Sequence, residues 1–187
     1  LHMAAVQQIA RFEADGQALV LKRYVATTQA RRLRRALTPS RAARSWQAAW
    51  RLLAIGVGTP RPWLMIEQRF GPLRGRAWLV TDFCPGVHID EAYRRGGRNE
   101  REAIEHALAR LFEAMLRHRI SHRDTKPANL LWTADGRLQL IDLDSVRYHW
   151  TQAGATHGSL RDRRIFLDYW RDEPALQQRF ARTLAIG

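Results

Sequence analysis

The stretch ISHRDTKPANLLWTADGRLQLIDLDSV, residues 120–146, decides how this chain is read. Leu130, Leu131 and Trp132 are apolar, Ala134-Asp135-Gly136 supplies a turn, and Leu138, Leu140 and Ile141 are apolar again. That is the pattern of two short strands joined by a tight turn. A loop carrying Asp124 and Lys126 leads to Asn129 at the start of the first strand, and Asp142 leaves the end of the second. Because a hairpin returns its ends to one place, the spacing predicts that these four side chains converge on one small volume. An aspartate there can orient and deprotonate a hydroxyl. An amide oxygen and a second carboxylate offer hard ligands suited to magnesium, and a lysine offsets charge on a transferring phosphoryl group. Together they point to phosphoryl transfer from a nucleotide; a polar turn beside a core hairpin would not require all four at these offsets.

The offsets resemble those of the eukaryotic-type kinase catalytic loop, where a base precedes a metal-binding Asn and a metal-binding Asp follows across a hairpin. Asp124, Asn129 and Asp142 stand in that relation. Upstream, Ala18 to Tyr24 (ALVLKRY) reads as a strand after the turn Ala14-Asp15-Gly16-Gln17, with a weaker strand from Val6 to Glu13 before it. Lys22 in that strand has the local character of the kinase lysine that holds the α- and β-phosphates. No Gly-rich loop is visible from Ala4 to Phe12.

A chain of 187 residues with 45% hydrophobic content can bury a real core. Its 31 Lys and Arg against 18 Asp and Glu give a formal net charge of +13, which favours anionic partners: an acidic protein, an anionic inner-membrane surface or nucleic acid. Nucleic acid is disfavoured because no recognised binding fold accompanies the charge. One cysteine, Cys84, excludes an internal disulfide framework and fits a reducing compartment. With no membrane-length apolar run and no signal peptide, the expected location is cytoplasmic, peripheral to the inner membrane. Leu1-His2-Met3 reads as a cloning remnant.

The basic excess concentrates between Asp15 and Glu67, a segment without any acidic residue that holds Lys22, Arg23, Arg31, Arg32, Arg34, Arg35, Arg41, Arg44, Arg51 and Arg61. Thr38-Pro39 is expected to start a helix running to about Ala54, ended by Gly56, with Ala43, Trp46, Ala49, Trp50 and Leu53 facing the core. A kinase would carry in this helix the glutamate that pairs with the strand lysine. Here it has no acidic residue, and Ser45 and Gln47 are the nearest polar substitutes.

Trp63 to Phe70 and Ala77 to Phe83 read as two strands, followed by a hinge at Asp82 to Gly86. There, backbone groups of Asp82 and Cys84 are expected to bond an adenine edge while Val80 walls the pocket. Asn99 should cap a long helix to about His118 with Ile104, Leu108, Leu111, Phe112, Met115 and Leu116 as its apolar stripe. Tyr148 to Leu160, containing Gly154 and Gly158, reads as a mobile loop, and Asp162 to Leu184 as helix broken at Pro174. The absence of an APE segment argues for a non-protein acceptor.

With these motifs placed, the chain resembles the lipopolysaccharide core kinase family, the bacterial heptose and Kdo kinases. The resemblance rests on ISHRDTKPANLL followed by LQLIDLDSV, on Thr59-Pro60-Arg61-Pro62, on GPLRGRAWLVTDFCPG and on RDRRIFLDYW, and covers about Ala18 to Trp170. It implies an α+β, bilobal protein-kinase-like fold, with a β-rich N-lobe over residues 1–83 and an abbreviated helical C-lobe over 84–187. It implies ATP and Mg2+ as cofactors and a lipopolysaccharide core glycolipid as acceptor. Asp124 would be the base, Lys126 would contact the transferring phosphate, Asn129 and Asp142 would hold the metal, and Lys22 would bind the nucleotide phosphates. His122 would brace the catalytic loop, and Asp144 would assist the metal or cap a turn. Two other readings stand beside it: a Ser/Thr protein or small-molecule kinase, and a catalytically impaired kinase-like binding module, which the missing helix glutamate favours.

Overall fold

Asp15 and Gly16 both take left-handed backbone angles, φ 50° and 74°, the turn that matches the twist of adjacent antiparallel strands. They join β1 (Gln7–Ala14) to β2 (Gln17–Tyr24) in unbroken register. β3 (Pro62–Phe70) and β4 (Leu73–Asp82) complete an antiparallel sheet in the order β1-β2-β4-β3. The structure, a computed structural model, describes residues 7–24, 38–70 and 73–184. Leu1-His2-Met3 and the arginines at 31, 32, 34 and 35 lie outside the described residues.

α1 (Arg41–Ala54) starts later than Thr38-Pro39 because Ser40 is the cap: its Oγ accepts from the Ala43 N–H at 3.1 Å, satisfying a first-turn donor. Gly56, at φ 79°, closes the far end. The helix buries Ala42, Ala43, Ser45, Ala48, Ala49 and Leu52. Small side chains let the helix approach the sheet closely, where Tyr24, Ala77 and Leu79 form a core with Ala42, flanked by Trp46 and Met65. Trp50, expected in that core, is instead 41% exposed; it meets Trp46 edge-on at 6.0 Å and the Arg61 guanidinium at 5.8 Å.

The chain forms two compact units. One comprises the sheet with α1 as far as Arg51; the other comprises Leu52–Thr59 and everything from Cys84 onward. In the second, β5 (Gly86–His88), β7 (Leu130–Thr133) and β8 (Leu138–Leu140) form a small antiparallel sheet, and β6 (Ile120–Ser121) pairs with β9 (Arg147–Tyr148). The helices are α2 (Ile89–Arg95), α3 (Arg98–Arg117), α4 (Gln152–Tyr169) and α5 (Pro174–Thr183).

α3 is capped at Gly97, two residues before the expected cap at Asn99. It buries Ile104, Leu108, Leu111, Phe112 and Met115 and packs on β6, β8, α4 and α5. Phe166, Trp170 and Phe180 meet ring to ring at 5.0–6.3 Å, with Tyr93 4.7 Å from Phe180 and Phe112 6.3 Å from Phe166. Each such ring buries on the order of 150–250 Å² and anchors this unit.

The expected mobile loop at 148–160 is a correction: from Gln152 it is the first half of α4. Thr151 caps it, its Oγ1 accepting from the Gly154 N–H at 3.1 Å. The glycines that suggested a loop are there for closeness. A Cβ at Gly158 would lie 2.6 Å from His149 Nε2 and 3.0 Å from Ser121 Cβ, so the helix can pack on β6 and His149 only without a side chain at that turn.

Candidate active site

Residues 120–146 form the predicted hairpin, with Leu130 opposite Leu140 and Trp132 opposite Leu138. A short 3-10 turn at Pro127–Asn129 swings the chain from the loop into β7. The Ile141 N–H donates to the Asn129 carbonyl at 3.0 Å, which ties the entry to the exit of the hairpin. Asn129 is buried, and its Nδ2 donates to both the Asp124 carbonyl and Asp124 Oδ2, each at 2.8 Å. Lys126 Nζ lies 3.1 Å from the same Oδ2. Three of the four expected side chains are thus directly bonded to one another, and Asp142 follows the residue bonded to Asn129.

Asn129 must turn its NH2 toward Asp124, where both neighbours are acceptors, so its Oδ1 is the end left for a cation. An amide oxygen and a carboxylate fit magnesium, which takes few protein ligands and completes its shell with phosphate oxygens and water. No group of three or more His, Cys, Asp or Glu suited to a metal occurs among the described residues.

Two residues of this segment have left-handed backbones without being glycine: Arg123 at φ 71° and Asp142 at φ 60°. Such conformations cost roughly 1–3 kcal/mol each and persist only where surroundings enforce them. For Arg123 the enforcing group is Asp162, which sequence reasoning placed only at a helix start. Its carboxylate, fully buried on α4, accepts from the His122 N–H (Oδ2, 2.6 Å) and the Arg123 N–H (Oδ1, 2.7 Å). Thr125 Oγ1 donates to the Asp162 carbonyl at 2.5 Å. Burial pushes the Asp162 carboxyl up to about 6, against the backbone donors that lower it. The available signal was an acidic residue facing inward on a helix, which single-sequence reading cannot separate from an exposed one.

His122 is fully buried; its Nε2 faces the Ile141 carbonyl at 3.0 Å. Desolvation lowers its pKa, outweighing that carbonyl and the nearby Asp124 and Asp142 charges. The ring is therefore neutral, with its proton on Nε2 to serve the carbonyl, and braces the segment that leads into Asp142. Asp144 is buried too, accepting from Ser145 Oγ at 3.3 Å.

In the sheet unit, Lys22 pairs with Leu79 and Leu79 with Met65, so these share a face with Tyr24 and Ala77. That is the face α1 covers. Val20 and Thr81 pair on the same face, whereas Val80 pairs with Leu21 and Leu64 on the opposite one. Ser45 is buried on α1 and its hydroxyl meets no hydrogen-bond partner among the described residues; Gln47 is exposed. Glu67 is taken by other cations. Although burial would raise its pKa, hydrogen bonds from Ser40, Arg74 and Arg69 hold it below the usual carboxylate range. The Asp82 N–H donates to the Arg61 carbonyl at 3.0 Å and its Oδ1 accepts from Trp63 Nε1 at 2.6 Å; the Cys84 carbonyl accepts from the Gly86 N–H at 3.0 Å. No Gly-rich turn precedes β2 among the described residues; the β1–β2 turn is Asp15-Gly16 alone.

Comparison with known proteins bears on the family and the fold. The model of the lipopolysaccharide kinase (Kdo/WaaP) family matches residues 3–172. Among solved structures, WaaP in complex with acyl carrier protein superposes with a TM-score of 0.68 at 24% identity, over 95% of this chain and 74% of that one. The Cydia pomonella granulovirus kinase PK-1 gives 0.53 at 17% identity, over 73% and 46%. Serine/threonine-protein kinase 10-A of Xenopus laevis is 33% identical over 72 residues, 36% of this chain and 8% of its own length. The cell division control protein 2 homolog 3 of Trypanosoma brucei brucei is 30% identical over 76 residues, 39% and 24%. The chain thus spans less than a quarter of the curated relatives it matches.

Proposed function

The chain belongs to the lipopolysaccharide kinase (Kdo/WaaP) family, and on that premise we propose that it transfers a phosphoryl group from ATP to a sugar hydroxyl, on heptose or Kdo, in the lipopolysaccharide core. The observation that carries the reading is the bonded group Asp124–Asn129–Lys126 at the mouth of the hairpin, with Asp142 one residue past the Ile141–Asn129 bond.

Asp124 is the base. Asn129 and Lys126 hold its Oδ2, leaving Oδ1 to accept the proton of the acceptor hydroxyl as that oxygen attacks the terminal phosphorus. Lys126, half exposed, shifts between Asp124 and the transferring phosphoryl oxygens. Asn129 Oδ1 and the Asp142 carboxylate would hold magnesium, whose contribution when bound is to neutralise charge between the phosphates. Lys22 would bind the nucleotide phosphates, and backbone groups of Asp82 and Cys84 the adenine edge. Val80 would wall the adenine pocket, and Val20 and Thr81 share the face of Lys22. Positive charge suits an acceptor with phosphate or carboxylate groups at the cytoplasmic face of the inner membrane, and no helix among the described residues is long and apolar enough to cross a membrane. It equally suits an acidic protein, so a carrier protein such as accompanies the solved WaaP is a partner to test by co-purification.

The test is transfer of label from γ-labelled ATP, with magnesium, to extracted and dephosphorylated core, beside a generic protein acceptor. Label in the glycolipid alone supports the reading. Label in protein alone would make this a protein kinase, and absence of ATP binding would leave a kinase-like binding module.

A further inference from the structure

β8, the strand that leads to Asp142, lies at the edge of its sheet, with β7 on one side only. Alternate residues of an edge strand point their N–H and C=O away from the neighbouring strand, where they need other partners. Leu140 is such a residue, and at 1% exposure it is closed to water. Its partners come from the segment that follows α1. The Leu140 N–H donates to the Gly58 carbonyl at 2.8 Å, and the Leu140 carbonyl accepts from Thr59 Oγ1 at 2.7 Å, a bond between residues 81 positions apart. Residues 52–59 belong to the same compact unit as the hairpin.

The residue types of this segment suit the contact. A Cβ at Gly58 would lie 2.5 Å from the Leu138 carbonyl, so the chain reaches β8 only because that position is bare. Were residues 58–60 to pair with β8 as a parallel strand, the donor to the Leu140 carbonyl would be the N–H of position 60. That residue is Pro60, which has none. The buried Thr59 hydroxyl supplies the donor in its place. Beyond Leu140, the Ile141 N–H is taken by the Asn129 carbonyl and the Ile141 carbonyl faces His122 Nε2, both at 3.0 Å. Both backbone groups of Leu140 and both of Ile141 are therefore fixed. The next residue is Asp142, left-handed at φ 60° without being glycine, a conformation that persists only where its surroundings enforce it. Among the four fixing partners, two are side chains: His122 within the segment 120–146 and Thr59 outside it.

We infer that Thr59 is a positioning residue for Asp142: its hydroxyl, together with the Gly58 carbonyl, fixes the end of β8 and so holds Asp142 in the left-handed conformation that follows. The metal-binding use of that carboxylate rests on the function proposed above; the hold on the backbone stands without it. A covering of the strand edge that served stability alone would act on the whole unit, whereas a positioning contact acts first on the two residues beyond it. Orienting groups behind a metal ligand alter metal affinity even though they never touch the ion.

The experiment uses the full chain with Thr59→Val, which keeps the shape of the side chain and removes its donor, and Thr59→Ser, which keeps the donor. Hydrogen exchange of individual amides, followed by NMR without ligand, reads the hold itself. In Thr59→Val the Ile141 and Asp142 amides should exchange about tenfold faster, as loss of one buried hydrogen bond implies. Amides of α3 should stay within about twofold, and Thr59→Ser should return the wild-type rates. ATP binding is then read by equilibrium dialysis against increasing magnesium. Thr59→Val should need several-fold more magnesium for half-saturation, again with rescue by Thr59→Ser. Unchanged exchange at Ile141 and Asp142, or an equal rise throughout the unit, would overturn the positioning role. Faster local exchange with an unaltered magnesium titration would keep the hold on the backbone and overturn its use by the metal. ATP binding that ignores magnesium in the wild type would overturn the function proposed above, and the exchange rates alone would then decide the role of Thr59. Should Thr59→Val fail to fold, Thr59→Ala, which leaves room for water at the Leu140 carbonyl, should give the same local pattern at smaller amplitude, and its absence there would overturn the role equally.

Discussion

The hairpin that carries Asn129 and the Lys22 sheet solve the problem of placing charge in different ways. Around Asp124, the side chains of Asn129 and Lys126 are bonded to the aspartate itself, and a buried carboxylate holds the left-handed Arg123 against its preference. Around Lys22, position comes from strand register: a half-buried lysine in a row with Leu79 and Met65, under a helix that contributes alanines and one serine but no carboxylate. A polar network specifies side-chain geometry to a fraction of an ångström, whereas a sheet face specifies only which side a residue occupies. Substitution should therefore be most damaging in the first region and graded in the second.

The largest effect is expected from Asp142→Ala, which removes one of the two hard oxygens at the hairpin mouth. Magnesium-dependent nucleotide binding should disappear and transfer fall by at least about a hundredfold; an unaltered magnesium titration would move the metal elsewhere. Next comes Asp162→Ala, which strands two buried N–H groups. It should cost on the order of 3–5 kcal/mol in chemical denaturation, and full retention of stability would remove Asp162 as the brace.

Asp162→Asn addresses the same brace by pH. A carboxyl whose folded pKa is about 6 ionises later than in the unfolded chain. Its contribution to stability is therefore complete at low pH and is lost as pH rises from about 4 through about 6, a change on the order of 3 kcal/mol. The difference in stability between wild type and Asp162→Asn should show that slope; a flat difference would mean the carboxyl is not raised. Gly158→Ala, whose Cβ would press on His149 and Ser121, should destabilise by about 1–3 kcal/mol. Smallest is Ser40→Ala in the sheet unit, which loses a cap and should lower stability by about 1 kcal/mol. A larger loss there than at Gly158 would invert the comparison.

Much of this was legible in the sequence. The hairpin, the convergence of Asp124, Lys126 and Asn129, the sheet strands and the break at Pro174 follow from local pattern, because strand alternation and turn residues act within a few positions. What escaped depends on contacts far apart in the chain. Gly154 and Gly158 signal a loop by propensity, but α4 needs Gly158 bare to lie against His149, and Trp50 fits the helical period yet lies 41% exposed beside Trp46 and Arg61. Asp162 braces residues some forty positions away. No local rule marks such a carboxylate as buried.

The central claim is that Asp124, held by Asn129 and Lys126, is the base of a phosphotransferase. The direct measurement is single-turnover transfer from γ-labelled ATP to the dephosphorylated core by wild type and Asp124→Ala, with ATP affinity determined in parallel. The account predicts that ATP affinity stays within about threefold while transfer falls by roughly 10²–10⁴-fold, the usual range for loss of a positioned base. Transfer within about tenfold of wild type, at equal ATP affinity, would contradict it.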